Sequence, residues 1–258
     1  MDPLTAMRRY FYLVFLSILL TTPVVAADKI AIIIDDIGNH PEDLAAAELP
    51  GDVTFAVLPF TPYGRSFALK AHHQGKQIMA HVPMQALAGN ALGLGALTSD
   101  MSNAEIKLKL RQVLDDIPYV AGINNHMGSQ LTQLTQPMQA VMESLKNHDL
   151  YFVDSRTTEY TVAEQIAQRY QVPVARRHVF IDNETSERYL TQQFDELIRI
   201  AHQQGTAIAI GHPYPETIAF LKRRLGSLDQ DGVQLVFASE LTIKSDSSIP
   251  SSVLETSQ

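Results

Sequence analysis

Short apolar runs alternate with stretches of helical period along nearly all of residues 29–241. The runs at Ile30–Ile34, Val53–Leu58, Gln77–Val82, Val120–Asn124, Tyr151–Val153, Val179–Ile181, Ala207–Ile210 and Val233–Phe237 have the length and composition of strands. The first reads Ile-Ala-Ile-Ile-Ile and is apolar on both faces, as a strand covered from both sides must be. Between runs, Ile106, Leu110, Val113, Leu114 and Ile117 fall on one helical face, as do Leu190, Phe194, Leu197, Ile198 and Ala201. Ser102 with Glu105, and Thr161 with Glu164, have capping-box spacing and mark helix starts. Strand–helix alternation requires parallel neighbours joined by right-handed crossovers. The pattern therefore predicts a single α/β domain over residues 28–243, a (β/α) barrel whose strands end at one common rim.

The polar residues at the ends of these runs carry the chemistry. Asp35 and Asp36 lie at the first, His81 at the third, and Asn124, Asn125 and His126 at the fourth. Asp154 and Arg156 lie at the fifth, Asp182 at the sixth and His212 at the seventh. Barrel enzymes place their reacting groups at this rim. One Asp and two His from separate strand ends make a three-ligand set with an open position for water, and Asp36, His81 and His126 are the residues in that arrangement. Asp35 is then free to act as general base and His212 to donate a proton to a leaving group.

Composition narrows the options. The 258 residues include no cysteine and no tryptophan, so disulfides and thiolate sites are excluded and any metal is held by nitrogen and oxygen donors. A divalent cation, zinc first among them, suits that set. Arg8 and Arg9 precede an apolar segment, Tyr10 to Leu20, and then Val25-Ala26-Ala27, the three-part layout of a secretory signal cut after Ala27. This segment of eleven residues falls short of the roughly 20 needed for a membrane span, which disfavours the alternative of an uncleaved anchor, and no stable span is expected after cleavage. Export to a periplasmic or extracellular space follows. Removal of residues 1–27 leaves 18 Lys and Arg against 27 Asp and Glu, a formal charge of −9 that argues against nucleic acid or anionic membrane as partner. Residues 244–258 are Ser-rich and read as a disordered tail.

Other polar segments have two readings each. Gly122-Ile-Asn-Asn-His-Met-Gly-Ser-Gln is either a turn rich in Asn and Gly or a segment in which Asn125, Gly128 and Ser129 approach a ligand. Asp154 and Arg156 form a structural ion pair, or one of them orients Asp35 or binds a sugar hydroxyl; Asp182 with Arg177 is equally open. Pro215 suits a first helical position, and Tyr214 before it either stiffens that entry or stacks on a substrate. His40, His72, His73, His148, His178 and His202 receive no role.

These motifs resemble the polysaccharide deacetylases with a NodB-type barrel, and more closely their divergent branch. Ile33-Ile34-Asp35-Asp36-Ile37-Gly38 is similar to the parent strand ending Thr-Phe-Asp-Asp-Gly, with one residue inserted before the glycine. Gly75-Lys-Gln-Ile-Met-Ala-His81 matches the helix end and strand that carry the parent family's first metal histidine, and Ile208-Ala-Ile-Gly-His212 resembles its last strand. The parent pattern continues His-x-x-x-His, whereas Gln85 stands four residues after His81. His126 lies where the parent family has an Arg-Pro-Pro-Tyr loop and offers a replacement ligand from another strand. The resemblance covers nearly all of residues 29–241 and implies an irregular, seven-stranded barrel, metal dependence and removal of acetyl groups from an envelope polysaccharide. The rival reading is a non-catalytic envelope protein that keeps the barrel as a glycan- or partner-binding module; a hydrolase acting on another amide or ester is a third.

Overall fold

The computed structural model describes residues 27–244. The expected signal segment and tail therefore lie outside the described residues, apart from Ala27 and Lys244. In chain order come β1 (Asp28–Ile37), a 3-10 segment (Pro41–Glu48), β2 (Thr54–Val57), α1 (Gly64–His73), β3 (Gln77–Met84) and α2 (Asn103–Asp116). They are followed by β4 (Val120–Met127), α3 (Thr135–Asn147), β5 (Tyr151–Asp154), α4 (Ala163–Tyr170), β6 (Val174–Arg176) and β7 (Val179–Phe180). The remainder is α5 (Glu187–Gln204), β8 (Thr206–Gly211), α6 (Pro215–Leu225) and β9 (Val233–Leu235).

The strands run in parallel in the order β6-β5-β4-β3-β2-β1-β8-β7, with β9 paired to the first residues of β1. The two ends of this path are consecutive in the chain. Arg177 N–H donates to the Asp154 carbonyl on the β5 side at 2.9 Å, and His178 N–H donates to Ile208 on β8 at 2.8 Å. The sheet thus curls until one interrupted stave, β6 and β7, passes from one edge to the other. That interruption corrects the expected seven strands: eight lie on the path because the stave is split, and the three-residue β6 is too short to show as an apolar run. The His178 ring mends the break, its Nδ1 accepting the Ile208 N–H at 3.0 Å.

Side-chain alternation divides the apolar residues into two layers. Ile30, Ile32, Ile34, Phe55, Ile78, Phe152 and Ala209 pack outward against the helices, where Ile106, Leu110, Phe194 and Leu197 meet them. Ala31, Ile33, Ala56, Met79, Val153, Ile208 and Ile210 fill the barrel interior. Ile30 to Ile34 have no exposed surface, as expected of a strand covered on both faces, and each such side chain contributes about 1.5–3 kcal/mol. The Ser102–Glu105 capping box forms at the start of α2. The Thr161–Glu164 box does not: Val162 is the N-cap, and Thr161 donates its hydroxyl to Asp154 Oδ2 at 2.8 Å.

Three expected strands run further than their apolar runs. β1 includes Asp35 and Asp36, β3 reaches Met84, and β4 carries Asn125 and His126 within its ladder. The polar residues extend the interior columns, so Asp35 continues Ala31 and Ile33, His81 follows Met79, and Asn124 precedes His126 on one face of β4.

Gly38 fixes how β1 leaves the barrel. Its φ of 125° lies in the region open chiefly to glycine, and a Cβ there would sit 2.2 Å from Thr61 Oγ1 and 2.9 Å from the Gly64 Cα. Gly38→Ala is expected to cost at least ~2 kcal/mol in urea denaturation, from backbone strain and overpacking together. A midpoint equal to that of the unmutated protein would refute this close packing.

Candidate metal centre

In an undisturbed strand Asp35 and Asp36 would point to opposite faces. Asp36 instead adopts φ 59°, the left-handed region, and the β1–β2 register shifts between Ile34 and Ile37. The shift breaks the alternation and brings both carboxylates to the same side of the strand end. Asp36 Oδ1 lies 2.9 Å from His126 Nδ1 and 3.2 Å from His81 Nε2, and the two ring nitrogens are 3.1 Å apart. One ligand atom from each of Asp36, His81 and His126 falls within 4.8 Å of the others.

Three features make this cluster fit a divalent cation. Its donors are two imidazoles and a carboxylate from two neighbouring strands and β1, the nitrogen and oxygen set that zinc accepts. Asp36 Oδ1 is buried and accepts no well-directed hydrogen bond despite its close neighbours, so its lone pairs are available. The tautomer of His81 is also set. Asn124 donates through Nδ2 to Asp35 Oδ1 at 2.8 Å, which turns its Oδ1 towards His81 Nδ1 at 2.7 Å. That ring nitrogen carries a proton in either charge state, which leaves Nε2, facing the two carboxylates, as the nitrogen that would offer its lone pair once a cation displaces its proton.

Asp35 is 2% exposed, with Oδ2 3.5 Å from His81 Nε2. Burial raises its carboxyl above the usual range, against the opposing pull of His81 and Asn124. Burial also acts to raise Asp36, but His126 and His81 beside it outweigh that and hold it well below the usual range. For His81 burial disfavours the charged ring, yet Asp35 and Asp36 together push it up to about 9. The pocket thus strongly favours positive charge. His212 Nε2 lies 3.9 Å from Asp36 Oδ2, while its Nδ1 meets Asp182 Oδ1 at 2.9 Å. Asp182 Oδ2 also accepts the His212 N–H at 2.6 Å and the Thr217 hydroxyl at 2.9 Å. Burial lowers His212, but Asp182 outweighs it and leaves the imidazole raised.

A profile of the divergent polysaccharide deacetylases matches residues 32–242. The chain belongs to that family. It is similar to the uncharacterized protein YibQ of Escherichia coli (strain K12), 39% identical over 230 residues, covering 89% of this chain and 72% of that protein. An uncharacterized protein of Haemophilus influenzae (strain ATCC 51907 / DSM 11121 / KW20 / Rd) is 38% identical over 226 residues, covering 87% of this chain and 80% of its own length. The crystal structure of the uncharacterized protein ATU2773 from Agrobacterium tumefaciens C58 superposes with a TM-score of 0.80 at 21% identity, covering 83% of this chain and 89% of that one. Its likeness establishes the irregular parallel barrel as the fold.

Within this divergent deacetylase barrel, the other rim residues are distributed unevenly. Gln85, at the departure from the parent pattern, accepts the Ser99 N–H through Oε1 at 2.6 Å, and its carbonyl accepts from Gln130 and Leu131. It ties two rim loops together. Asn125 links its own loop, donating to the Met127 carbonyl at 2.6 Å and accepting the Ser155 N–H at 2.9 Å. Asp154 does not join the cluster: it accepts the Arg156 N–H at 2.8 Å and the Thr161 hydroxyl at 2.8 Å, a loop clasp that stands in place of the ion pair, one of the two readings open for it. The Arg156 carbonyl accepts from Arg177, whose guanidinium lies 3.7 Å over the Phe180 ring. Ser129 accepts the Leu87 N–H at 3.1 Å. Tyr214 caps α6 with its ring 5.7 Å from His212.

Sequence reasoning passed over Asn124 as a positioning group and did not find Phe60, which lines the cleft beside the cluster. The Leu58-Pro-Phe-Thr-Pro segment, apolar beyond the end of a strand, is the signal that marks the latter.

Asn tolerates left-handed backbone, so Asp36→Asn removes the anionic donor while preserving the local fold. Competition with a chromophoric chelator should show zinc affinity reduced by more than about 100-fold, beyond the usual loss at outer positions. Undiminished affinity would exclude Asp36 as a ligand.

Proposed function

We propose that this protein is an exported, metal-dependent hydrolase that removes acetyl groups from an envelope polysaccharide. The observation that carries this reading is the joint placement of Asp36, His81 and His126 with a buried carboxylate, Asp35, on one strand and an Asp182-held imidazole, His212, on another. A binding module has no need of a base and a proton donor beside its cation. Membership of the deacetylase family supports the acetylated carbohydrate as substrate. The layout of residues 1–27 supports export, and no described helix is long and apolar enough to cross a membrane.

Asp36, His81 and His126 would hold a divalent cation, zinc suiting their donor set, and a cation bound there would supply Lewis acidity towards the acetyl carbonyl and lower the pKa of water. Asp35 accepts the proton of the attacking water. Its burial raises its basicity, and Asn124 holds one oxygen so that the other is available. His212 donates a proton from Nε2 to the departing amine or alcohol. Asp182 fixes the opposite tautomeric position and stabilises the imidazolium, as the raised His212 requires. Asn124 couples the base to the His81 ligand through one amide, so the two are positioned together.

Asp35→Asn should abolish acetate release from acetylated glycans while zinc remains near stoichiometric by atomic emission. Retained turnover removes Asp35 from the role of base, and bound zinc without acetate release by the unmutated protein favours the binding-module reading. Asp182→Asn should lower kcat by roughly 100-fold or more with KM little changed, as expected of a group that orients a catalytic imidazole. An unaltered kcat would sink the His212 assignment.

A further inference from the structure

A cleft of about 540 Å3 opens from Asp36 and His126, lined by the Leu58–Pro62 segment together with Asn39, Pro83 and Leu94. Phe60 in this wall has φ 57°, a backbone region that bulky residues avoid. Several independent contacts keep it there. Its N–H donates to Asp116 Oδ2 at 2.7 Å, and Arg65 Nη1 donates to the Asp116 carbonyl at 3.0 Å. Leu58 N–H donates to the Ile37 carbonyl at 2.9 Å, which ties the segment to the strand bearing Asp36. Gly95 closes against the ring, since a Cβ there would lie 3.0 Å from Phe60 and 3.1 Å from Pro59. Core packing does not account for this strain, because Phe60 is 39% exposed and Leu94 is 68% exposed. Strain that the surroundings over-determine belongs to functional positions more than to scaffolding. Asn39, exposed at the same cleft, has a side-chain amide with no hydrogen bond among the described residues.

We propose that the Phe60 ring is a stacking platform for the apolar face of a pyranose unit in an acetylated hexosamine chain, with the Asn39 amide bonding a polar group on that unit's edge. A pyranose presents C–H groups on its face and hydroxyls around its rim, which matches an aromatic wall with one free amide beside it. A simple acyl chain would leave Asn39 unused. The choice of sugar rests on the deacetylase reading; the strained, exposed ring next to the metal cluster does not.

The test is calorimetric titration of N-acetylchitotetraose into zinc-loaded protein in the Asp35→Asn background, so that the probe is not consumed. Phe60→Ala should weaken binding at least about tenfold and Phe60→Trp should keep it within about threefold, since the ring face is what binds. Zinc stoichiometry and thermal midpoint should not move in either variant. The platform is overturned by absence of binding when Phe60 is present, by Phe60→Ala binding within about twofold of its parent, or by a loss accompanied by loss of zinc. It is also overturned if the substitution spares the tetrasaccharide and instead weakens binding of hexanoate, which would assign the ring to acyl chains. Acetate release by the unmutated protein is read separately. Ring-dependent binding without any release leaves the platform standing and sinks the deacetylase reading.

Discussion

A two-residue carboxylate pair cannot face one cavity from an ordinary strand, and the left-handed backbone at Asp36 is what makes it do so here. The conformation costs about 1–3 kcal/mol for a residue other than glycine. It persists because β1 is held on both sides, by β8 along Lys29–Ile34 and by β2 up to the register shift. Gly38 then lets the chain turn away against Gly64. A strand with no exposed residue from Ile30 to Ile34 is a rigid enough anchor to carry strain at its tip.

The electrostatics follow from that geometry. Two acids and a buried imidazole occupy the mouth of an otherwise apolar barrel interior, where an unpaired charge is costly. Without a cation, the nearest relief is a proton, and Asp35 and Asp36 accordingly stabilise one on His81. A divalent ion answers the same demand more fully. The polar shell around the cluster is closed with care: Asn124 spends its amide on His81 and Asp35, and Asp182 spends both oxygens on His212 and Thr217. Asp36 Oδ1 is the atom of this shell left without a directed partner, and it is the atom that the His81 and His126 ring nitrogens both face.

Much of this was legible in the chain because burial writes itself into hydrophobic pattern. Ile30–Ile34 read as a two-sided strand, and the faces of α2 and α5 were set by residues that are all buried or packed against the core. Candidate ligands were legible for a related reason, since polar residues that continue an interior column have few other uses. What escaped the reading depends on backbone conformation or on partners distant in sequence. The split between β6 and β7 turns on two residues that bond to different strands, and Thr161 abandons its cap for a carboxylate seven residues earlier. Asn124 reads as turn composition until its neighbours at Asp35 and His81 are known. Phe60 reads as loop, because nothing in an aromatic side chain announces a positive φ.

In the proposed ligand set, the use of His126 where position 85 holds Gln has a physical logic of its own. A ligand four residues beyond His81 would lie past the end of β3, on a loop whose position depends on its contacts. His126 lies on β4, which pairs with β3 through Ala80 opposite Ile123, His81 opposite Asn124 and Pro83 opposite His126. The imidazole is therefore placed by the ladder itself, two residues beyond Asn124 on the same face. Gln85 itself clasps the loops around Ser99 and Gln130 at the edge of the rim. In the proposed ligand set, taking the second imidazole from a strand and not a loop would keep the nitrogen and oxygen donors and leave their positioning to the ladder.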